Sequence, residues 1–381
     1  MSSGPLHGVR VLEVGGIGPA PFAGMTLAEM GADVIRIDRP GGGPPFPIPP
    51  ELDLFNRGKR SVALDLKHAD GLEALLALVE SSDIVIEGHR PGVAERLGFG
   101  PDDVLARRPQ AVYGRVTGWG QEGPLAQTAG HDVNYAAITG AIHAIGSRDG
   151  RPEIPLNIVG DFAGGANYLV MGVLAALFDA QRRGHGQVID AAIVDGVSHL
   201  LTGTHTFLNS GMWTDGRGQN LLDGAAPFYS IFETSDGKHL AAGPIEPAFW
   251  AQFLDGLELD PDAFSDRWDP SEWPRLREEI AGVFARRTQA EWTETFDGSD
   301  ACVSPVVSLL DAPDHPHIRA RGSVVRHENG SVSSAPAPRF SNRSRTELTP
   351  ATPIGEHTKE VLQQTNLDVA ALLAEGAAFQ A

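Results

Sequence analysis

Two side chains of types that serve as general acids or bases, a histidine and an aspartate, lie at predicted helix starts among glycines. His131 lies in Ala129-Gly130-His131-Asp132-Val133-Asn134-Tyr135, and Asp161 lies in Val159-Gly160-Asp161-Phe162-Ala163-Gly164-Gly165. Removal of a proton next to a carbonyl requires a positioned base and hydrogen-bond donors for the enolate oxygen. The sequence therefore predicts an acid/base site in which amides at the Asp161 helix start stabilise an enolate.

Each of these residues also has an ordinary structural explanation. His131 is one of 13 histidines, and a lone histidine is more often a capping or buried residue than a catalytic one. Asp161 precedes a long apolar helical pattern and suits an N-cap. A cap does not explain Gly164 and Gly165, which lower helix propensity and are accepted more readily where a ligand approaches the backbone.

Two other motifs indicate cofactors and are rejected on their residues. Gly16-Ile17-Gly18 lies between a predicted strand and a helix, as in dinucleotide-binding loops. Pro19 and Pro21 lack the amide hydrogens that such a loop directs at a pyrophosphate, so NAD or FAD is not expected. The pair His315 and His317 spans a proline without clustered ligands, which favours a loop over a metal site.

The overall charge excludes several classes of partner. The 381 residues include 49 acidic and 30 basic side chains, for a net charge of −19, which argues against nucleic-acid and anionic-membrane binding.

The sequence also indicates a compartment. A single cysteine, Cys302, fits a reducing compartment. Residues 1–25 lack a signal-peptide pattern, and the longest apolar run, Tyr168 to Phe178, is too short to span a bilayer. We expect a soluble cytoplasmic protein without membrane insertion.

Basic residues are concentrated in one segment of this acidic chain. Between Arg36 and Lys67, six basic residues stand against four acidic ones, a balance of +2. Such runs are usually solvated surface, but a small, multiply charged anion would also suit this basic segment. The six residues of the basic segment are Arg36, Arg39, Arg57, Lys59, Arg60 and Lys67.

Strand and helix patterns alternate along the first half of the chain. Apolar β-branched runs predict strands at 9–14, 34–37, 61–66, 83–86, 111–116 and 187–192. Helical patterns occupy 71–79, 132–145 and 161–183, and a proline- and glycine-rich surface loop is predicted at 41–50. This alternation predicts an α/β fold with a largely parallel sheet.

The pattern changes after Pro227. Phe228 to Glu233 and Lys238 to Ala242 flank Asp236-Gly237, a favoured hairpin turn, and helical patterns follow at 271–287 and 289–296. We therefore predict a large domain over 1–192, a linker helix over 193–222 and a small α+β domain over 223–321. A returning linker and C-terminal segment over 322–381 is predicted to pack on the large domain.

Several motifs resemble those of the class III CoA-transferase superfamily, over about residues 9–340. Two further segments, Gly130-His131-Asp132-Val133-Asn134-Tyr135 and Leu156-Asn157-Ile158-Val159-Gly160-Asp161-Phe162, resemble the branch that racemises α-methylacyl-CoA thioesters. Transferases of the superfamily usually carry an aromatic residue at the His131 position and use the aspartate matching Asp161 as a nucleophile. The superfamily motifs are Val11-Leu12-Glu13, Gly31-Ala32-Asp33-Val34-Ile35-Arg36-Ile37-Asp38, Asn56-Arg57-Gly58-Lys59-Arg60-Ser61, Arg90-Pro91-Gly92 and Thr117-Gly118-Trp119-Gly120-Gln121-Glu122-Gly123-Pro124.

The resemblance implies a role for each matching residue. His131 and Asp161 become the acid/base pair on opposite faces of the α-carbon, and Glu246 supports the histidine. The thioester is lined by Gly130, Asp132, Val133, Asn134 and Tyr135. The positions implied to hold the CoA phosphates and adenosine are Arg39, Leu64, Asp65, Leu66, Lys67, Gly88, His89, Arg90 and Arg96.

The resemblance also implies the architecture and the reaction. It implies a Rossmann-like large domain, a small α+β domain and an interlocked homodimer. The reaction is a 1,1-proton transfer that interconverts (R)- and (S)-2-methylacyl-CoA in fatty-acid and lipid metabolism, with CoA as part of the substrate and no separate cofactor or metal. Branched fatty, sterol-derived and aryl acyl groups stay open, as do a CoA-transferase that uses Asp161 as nucleophile and a non-catalytic acyl-CoA-binding protein.

Overall fold

A seven-stranded sheet forms the centre of the first of two units in the computed structural model, which describes residues 4–43, 48–341 and 349–381. The strand order is β12-β3-β2-β1-β4-β5-β6, and all neighbours are parallel except β12 and β3. The strands of the chain are β1 (Arg10–Val14), β2 (Asp33–Asp38), β3 (Arg60–Leu64), β4 (Ile84–Glu87), β5 (Val112–Thr117), β6 (Val188–Ala192), β7 (Ser230–Glu233), β8 (His239–Ala242), β9 (Val303–Pro305), β10 (Val324–Arg326), β11 (Val332–Ser334) and β12 (Ala378–Phe379).

Helices cover both faces of this sheet and build much of the second unit. The bounds are α1 (Pro19–Glu29), α2 (Ala69–Val79), α3 (Val93–Leu97), α4 (Pro101–Arg107), α5 (Asp132–Ile138), α6 (Ala141–Ala144), a π-helix (Ile158–Ala166), α7 (Asn167–Arg183), α8 (Ile193–Leu200), α9 (Thr202–Asn209), α10 (Pro247–Gly256), α11 (Trp273–Phe284), α12 (Gln289–Phe296), α13 (Pro316–Arg321), α14 (Thr358–Leu362) and α15 (Val369–Ala374). Single 3₁₀ turns occupy Pro50–Leu52, Leu54–Asn56, Pro261–Phe264 and Ala312–Asp314.

The sheet confirms the predicted α/β class and the Rossmann-like domain. The strand order from β3 to β6 is that of dinucleotide-binding folds. Strands are added toward one edge of the sheet from β1 to β3 and toward the other edge from β4 to β6, so the order reverses between β1 and β4. Both faces are apolar, as a parallel sheet requires. One face packs against α2 through Leu75 and Leu78, and the other against α7 through Leu169 and Val173.

The second unit contains the hairpin predicted around Asp236-Gly237. Strands β7 and β8 pair antiparallel, β9 extends the sheet, and Gly237 takes the positive φ of 71° that the turn requires. Its core is aromatic and includes Phe228, Phe253 and Trp292. This is the α+β composition expected for the small domain.

The two units differ from the predicted boundaries. The first comprises Met1–Thr139, Leu156–Leu200 and Ser333–Ala381, and the second Gly140–Pro155 and Leu201–Val332. Residues 140–155 therefore group with the second unit, and α8 belongs to the first. The helix predicted over 132–145 is interrupted, because Gly140 adopts a left-handed φ of 91° that ends α5 and precedes α6.

Outside the sheet, one sequence prediction falls partly on residues that are not described, and others are corrected by the structure. Residues 44–47 of the predicted 41–50 loop lie outside the described residues. His317 lies in α13 rather than in a loop. The helix Ile158–Arg183 has 26 residues, and its most apolar 18-residue stretch has a mean hydropathy of 1.4. By length and composition it could cross a bilayer, although the continuous apolar run Tyr168 to Phe178 within it is too short to do so. Of that 18-residue stretch, 44% is buried inside the protein. Core helices of globular proteins can be equally long and apolar, and this helix packs against the sheet.

Candidate functional site

A cavity of about 470 Å³ opens at the reversal point of the sheet. Ligands of open α/β sheets bind outside the carboxyl ends of the strands at this point. Residues at four neighbouring strand ends line the cavity: Gly16 and Ile17 follow β1, Gly88–Pro91 follow β4, Thr117 ends β5 and is followed by Gly118 and Trp119, and Ile193 begins α8 directly after β6. His131 and Asp161 both line this cavity, so the structure brings the predicted acid/base pair together.

Asp161 is a partly buried carboxyl close to several polar groups. The Asn157 amide donates to its Oδ2 at 3.3 Å. A Cβ at Gly18 would lie 2.8 Å from the same oxygen, so the β1–α1 loop approaches the carboxyl as only glycine allows. Burial raises the pKa of Asp161 and the negative charge of Asp132 adds to the rise, while Asn157 and His131 oppose it. The result favours the protonated carboxyl.

The predicted N-cap role of Asp161 is wrong, and two of the amides at this helix start already have a partner. The helix begins at Ile158 with Asn157 at the N-cap position, so Asp161 lies inside its first turn. The backbone N–H of Asp161 donates to Asp132 Oδ1 at 2.7 Å, and Gly160 donates to the same carboxylate. These two amides are engaged and are not free for an enolate oxygen.

His131 is more exposed than Asp161. It occupies the N-cap position of α5, and its backbone N–H donates to the Asn134 side-chain oxygen at 3.0 Å. Of the segment expected to line the thioester, Gly130 and Tyr135 line the cavity with His131, whereas Asp132, Val133 and Asn134 do not. The side chains of Asp132 and Asn134 instead bind backbone amides.

Tyr135 and Trp119 form one wall of the cavity. Their rings meet edge to face with centroids 4.7 Å apart, and the Tyr135 hydroxyl donates to the Gly130 carbonyl oxygen. Burial and the charge of Asp161 raise the pKa of Tyr135, while Arg90 lowers it. The phenol therefore stays protonated and acts as a hydrogen-bond donor.

An ion-pair network with a buried Arg115–Glu87 pair supports the wall formed by Gly88–Pro91. Arg115 Nε bonds to Glu87 at 2.8 Å, and its Nη1 bonds to Glu95 at 2.7 Å. Glu87 in turn accepts the backbone N–H of His89 at 2.6 Å. Burial and the nearby Arg115 charge lower the pKa of His89, so this cavity-lining imidazole is held neutral.

The residues predicted to bind CoA divide by exposure. Arg39, Lys67, Arg90 and Arg96 have exposed side chains, and within the described part of the chain they form no ion pair. Gly88, His89 and Arg90 line the cavity. The Leu64 side chain packs in the core with Leu66 against it, and Asp65 accepts the backbone N–H of Lys67 at 3.0 Å.

Most of the basic segment 36–67 does not bind an external anion. Arg36 bonds to Asp38 at 2.7 Å, Lys59 to Glu13 at 2.7 Å, and Arg60 to Asp33 at 2.6 Å. Arg57 pairs with Glu29 and donates to the Ser334 carbonyl oxygen at 2.9 Å. The prediction of an anion site therefore survives only for Arg39 and Lys67.

Glu246 belongs to the second unit and does not line the described cavity. It occupies the N-cap position of α10 and is exposed. The preceding carbonyl oxygens of Pro244 and Ile245 accept hydrogen bonds from Arg267 at 3.3 and 2.9 Å. The Arg267 guanidinium also lies 4.8 to 5.2 Å from the ring centroids of Trp268, Trp250 and Phe228, which fixes the backbone leading to Glu246.

Three residues outside the cavity lining contact Asp161 or support the cavity wall, and the sequence does not predict these roles. Asn157 lies four residues before Asp161, one helical turn away, and that spacing was the available signal. In the sequence, Gly18 indicates only a loop of the dinucleotide-binding type. Arg115 gave no signal, because its partners Glu87 and Glu95 are distant in sequence. Among the described residues, no group of three histidine, cysteine, aspartate or glutamate side chains is placed to hold a metal ion.

Comparison with known proteins places this geometry among CoA-dependent enzymes. Residues 6–358 match the model for CoA-transferase family III. The chain is 41% identical to human alpha-methylacyl-CoA racemase, over 94% of this chain and 93% of that protein. It is 29% identical to mouse succinyl-CoA:glutarate CoA-transferase, over 94% and 86%. A crystal structure of Rv3272 from Mycobacterium tuberculosis superposes with a TM-score of 0.78 at 26% identity, covering 94% of this chain and 99% of that one.

Proposed function

The chain belongs to CoA-transferase family III, and from this membership and the cavity we propose that it interconverts (R)- and (S)-2-methylacyl-CoA thioesters. The similarity to the human racemase extends over nearly the full length of both chains, which supports an isomerase. The observation that carries the proposal is the pair of proton-exchanging side chains, His131 and Asp161, in one cavity.

In the proposed mechanism the two side chains act on opposite faces of the α-carbon. Neutral His131 takes the α-proton from one enantiomer, and the electron pair of the broken C–H bond becomes the thioester enolate. Protonated Asp161 then returns a proton to the other face. The raised pKa of Asp161 supports its role as an acid. For the other enantiomer the roles reverse, and the resemblance assigns Glu246 to support His131.

The CoA moiety is assigned to four exposed cations, one of which lines the cavity. Arg90 lines the cavity, and Arg39, Lys67 and Arg96 are further exposed cations available to phosphates. Gly88 and His89 present backbone and a neutral imidazole beside Arg90. The proposed proton transfer uses no redox group and no metal, so we expect activity to survive dialysis against EDTA. Branched fatty, sterol-derived and aryl thioesters are the acyl groups to compare.

Exchange of the α-proton with solvent tests this function. (R)- and (S)-2-methylacyl-CoA are incubated separately in D₂O, and α-deuteration and loss of configuration are followed by NMR and chiral chromatography. We expect both from either enantiomer, and we expect His131→Ala to abolish abstraction from one of them. Unchanged exchange in both directions would remove His131 from the mechanism. Binding of acyl-CoA without deuteration would indicate a non-catalytic binding protein.

A CoA-transferase is the second candidate, since members of the family carry that activity and Asp161 is a carboxyl in the cavity. In that reaction the Asp161 carboxylate attacks the thioester carbonyl, CoA thiolate leaves, and an aspartyl anhydride forms. Hydroxylamine converts such an anhydride into an aspartyl hydroxamate, which mass spectrometry detects at Asp161. This adduct, or CoA transfer to a second carboxylate, would replace the racemase assignment.

We assign the protein to the cytoplasm as a homodimer. Cys302, the single cysteine, is exposed and free, which suits a reducing compartment. The apolar side chains of Ile158, Met171 and Phe178 are 55%, 58% and 63% exposed along the long helix, and a second copy would bury them. Light scattering coupled to size-exclusion chromatography distinguishes the dimer from a monomer.

A further inference from the structure

Asp132 connects the segments that carry the two proposed acid/base residues. It follows His131 as the first residue of α5, and only 9% of it is exposed. Its Oδ1 lies 2.7 Å from the backbone nitrogen of Asp161, and the Gly160 N–H donates to the same carboxylate. Both N–H groups belong to the first turn of their helix, where the backbone has no partner within the helix. The carboxylate therefore satisfies donors that burial would otherwise leave unpaired.

Gly160 makes this contact sterically feasible. A Cβ at position 160 would lie 2.1 Å from Asp132 Oδ1 and 2.8 Å from its Cγ. Any side chain there would displace the carboxylate from the helix start. The contact therefore requires glycine at position 160.

The charge of Asp132 also acts on Asp161. The groups facing the Asp161 carboxyl are Asn157 from its own helix, His131, Asp132 and Tyr135 from α5 and the preceding cap, and the Gly18 backbone. Among these neighbours, Asp132 contributes the negative charge. That charge disfavours a second carboxylate nearby.

We propose that Asp132 is a positioning residue, which fixes the helix start that carries Asp161 through its bonds to the Gly160 and Asp161 amides. This role rests on the proposed function, since it matters for catalysis only where Asp161 transfers protons. It replaces the role in lining the thioester that the sequence resemblance implies for Asp132.

Two variants separate the hydrogen bonds of Asp132 from its charge. Asp132→Ala removes the acceptor, and we expect α-deuteration to fall roughly 100-fold, the scale of an ångström-sized displacement of a catalytic group. Asp132→Asn keeps an acceptor oxygen and removes the charge. We expect a smaller loss, roughly 10-fold or less, together with a shift toward acid of the apparent pKa that Asp161 contributes to the pH–rate profile.

Asp190→Asn is the matched control. Asp190 is also a carboxylate that accepts a backbone N–H, that of Gln121 at 3.1 Å, and burial raises its pKa, but it does not line the cavity. We expect the α-deuteration rate and the pH–rate profile of Asp190→Asn to equal those of the wild type. A folded Asp132→Ala variant with full activity, or an Asp132→Asn profile that overlays the wild type, would overturn the proposal. If Asp132→Ala fails to fold, the Asp132→Asn profile decides.

Hydrogen exchange at the Gly160 and Asp161 amides distinguishes this proposal from the proposed function. If the wild-type protein deuterates no 2-methylacyl-CoA, the racemase function fails regardless of Asp132. Faster exchange at these two amides in Asp132→Ala than in the wild type would then still establish the positioning contact. Unchanged exchange would refute it.

Discussion

Charged side chains close to one another in sequence serve two different purposes in this protein. Lys59 forms an ion pair with Glu13 in which the two side chains are 1% and 2% exposed. Lys67 and Arg90 are exposed, without an ion pair in the described part of the chain, and Arg90 lines the cavity. The partner of a cation, rather than the local charge density, therefore decides whether that cation stabilises the fold or is available to a ligand.

The largest effect is expected from breaking the Lys59–Glu13 pair. Lys59→Met leaves the Glu13 carboxylate buried and unpaired, which costs about 3–5 kcal/mol of unfolding free energy. Urea denaturation monitored by circular dichroism measures this loss. The double change Glu13→Gln with Lys59→Met should lose less, and Arg183→Ala, from an exposed pair with Asp179, should change stability by about 0.5 kcal/mol or less. Equal stability of Lys59→Met and wild type would show that this buried pair is dispensable.

The substitution Arg90→Ala is expected to weaken acyl-CoA binding without lowering stability. Removal of a charge-assisted hydrogen bond to a phosphate costs about 1.5–3 kcal/mol, so Arg90→Ala should raise KM for acyl-CoA roughly 10- to 100-fold. Its melting temperature should equal that of the wild type, since the side chain is exposed. Arg107→Ala removes an exposed cation paired with Glu73 and Glu80 and serves as the charge control. A melting temperature that falls without a KM change would place Arg90 with the structural cations.

The substitution Asp161→Asn is expected to abolish activity but to increase stability near neutral pH. Its folded-state pKa is raised, so the stability it contributes is fully present below the unfolded pKa and is lost as pH rises through the folded pKa. Asp161→Asn removes the ionisation, so the variant should be inactive yet more stable than the wild type near neutral pH. The difference should vanish in acid. Thermal melts across the pH range measure it, and a variant less stable at neutral pH would contradict the assignment.

The smallest effect is expected from Lys67. An exposed lysine that meets a phosphate in water contributes about 0.2–1 kcal/mol, so Lys67→Ala should raise KM by about 1.4- to fivefold. The increase should disappear in high salt because exposed charges are screened there. Measurements of KM at low and high ionic strength test this, and a salt-independent increase would indicate a buried contact instead.

The sequence predicts the sheet better than it predicts the partners of charged groups. Strand positions follow from local apolar runs, and β1, β2 and the β7–β8 hairpin lie within a residue or two of their predicted bounds. The break at Gly140 escapes periodicity because apolar spacing continues through it.

Ion pairs are harder to predict because they depend on tertiary structure. Glu13 and Glu29, the partners of Lys59 and Arg57, come from β1 and α1, and nothing local to the basic segment indicates them. For the same reason the sequence identifies Asp132 as part of a motif but not as the acceptor of the Asp161 amide. His131 and Asp161 are indicated by residue type and glycine-rich context, which are local to the sequence, and the structure places both in the lining of one cavity.

The position of β12 has a consequence for biosynthesis. It pairs antiparallel with β3, which ends at Leu64, although β12 itself is Ala378–Phe379. A ribosome therefore synthesises Leu201–Val332, the larger part of the second unit, before the strand that covers the edge of the first sheet. During translation the exposed edge of β3 is a surface that chaperones or neighbouring nascent chains can reach.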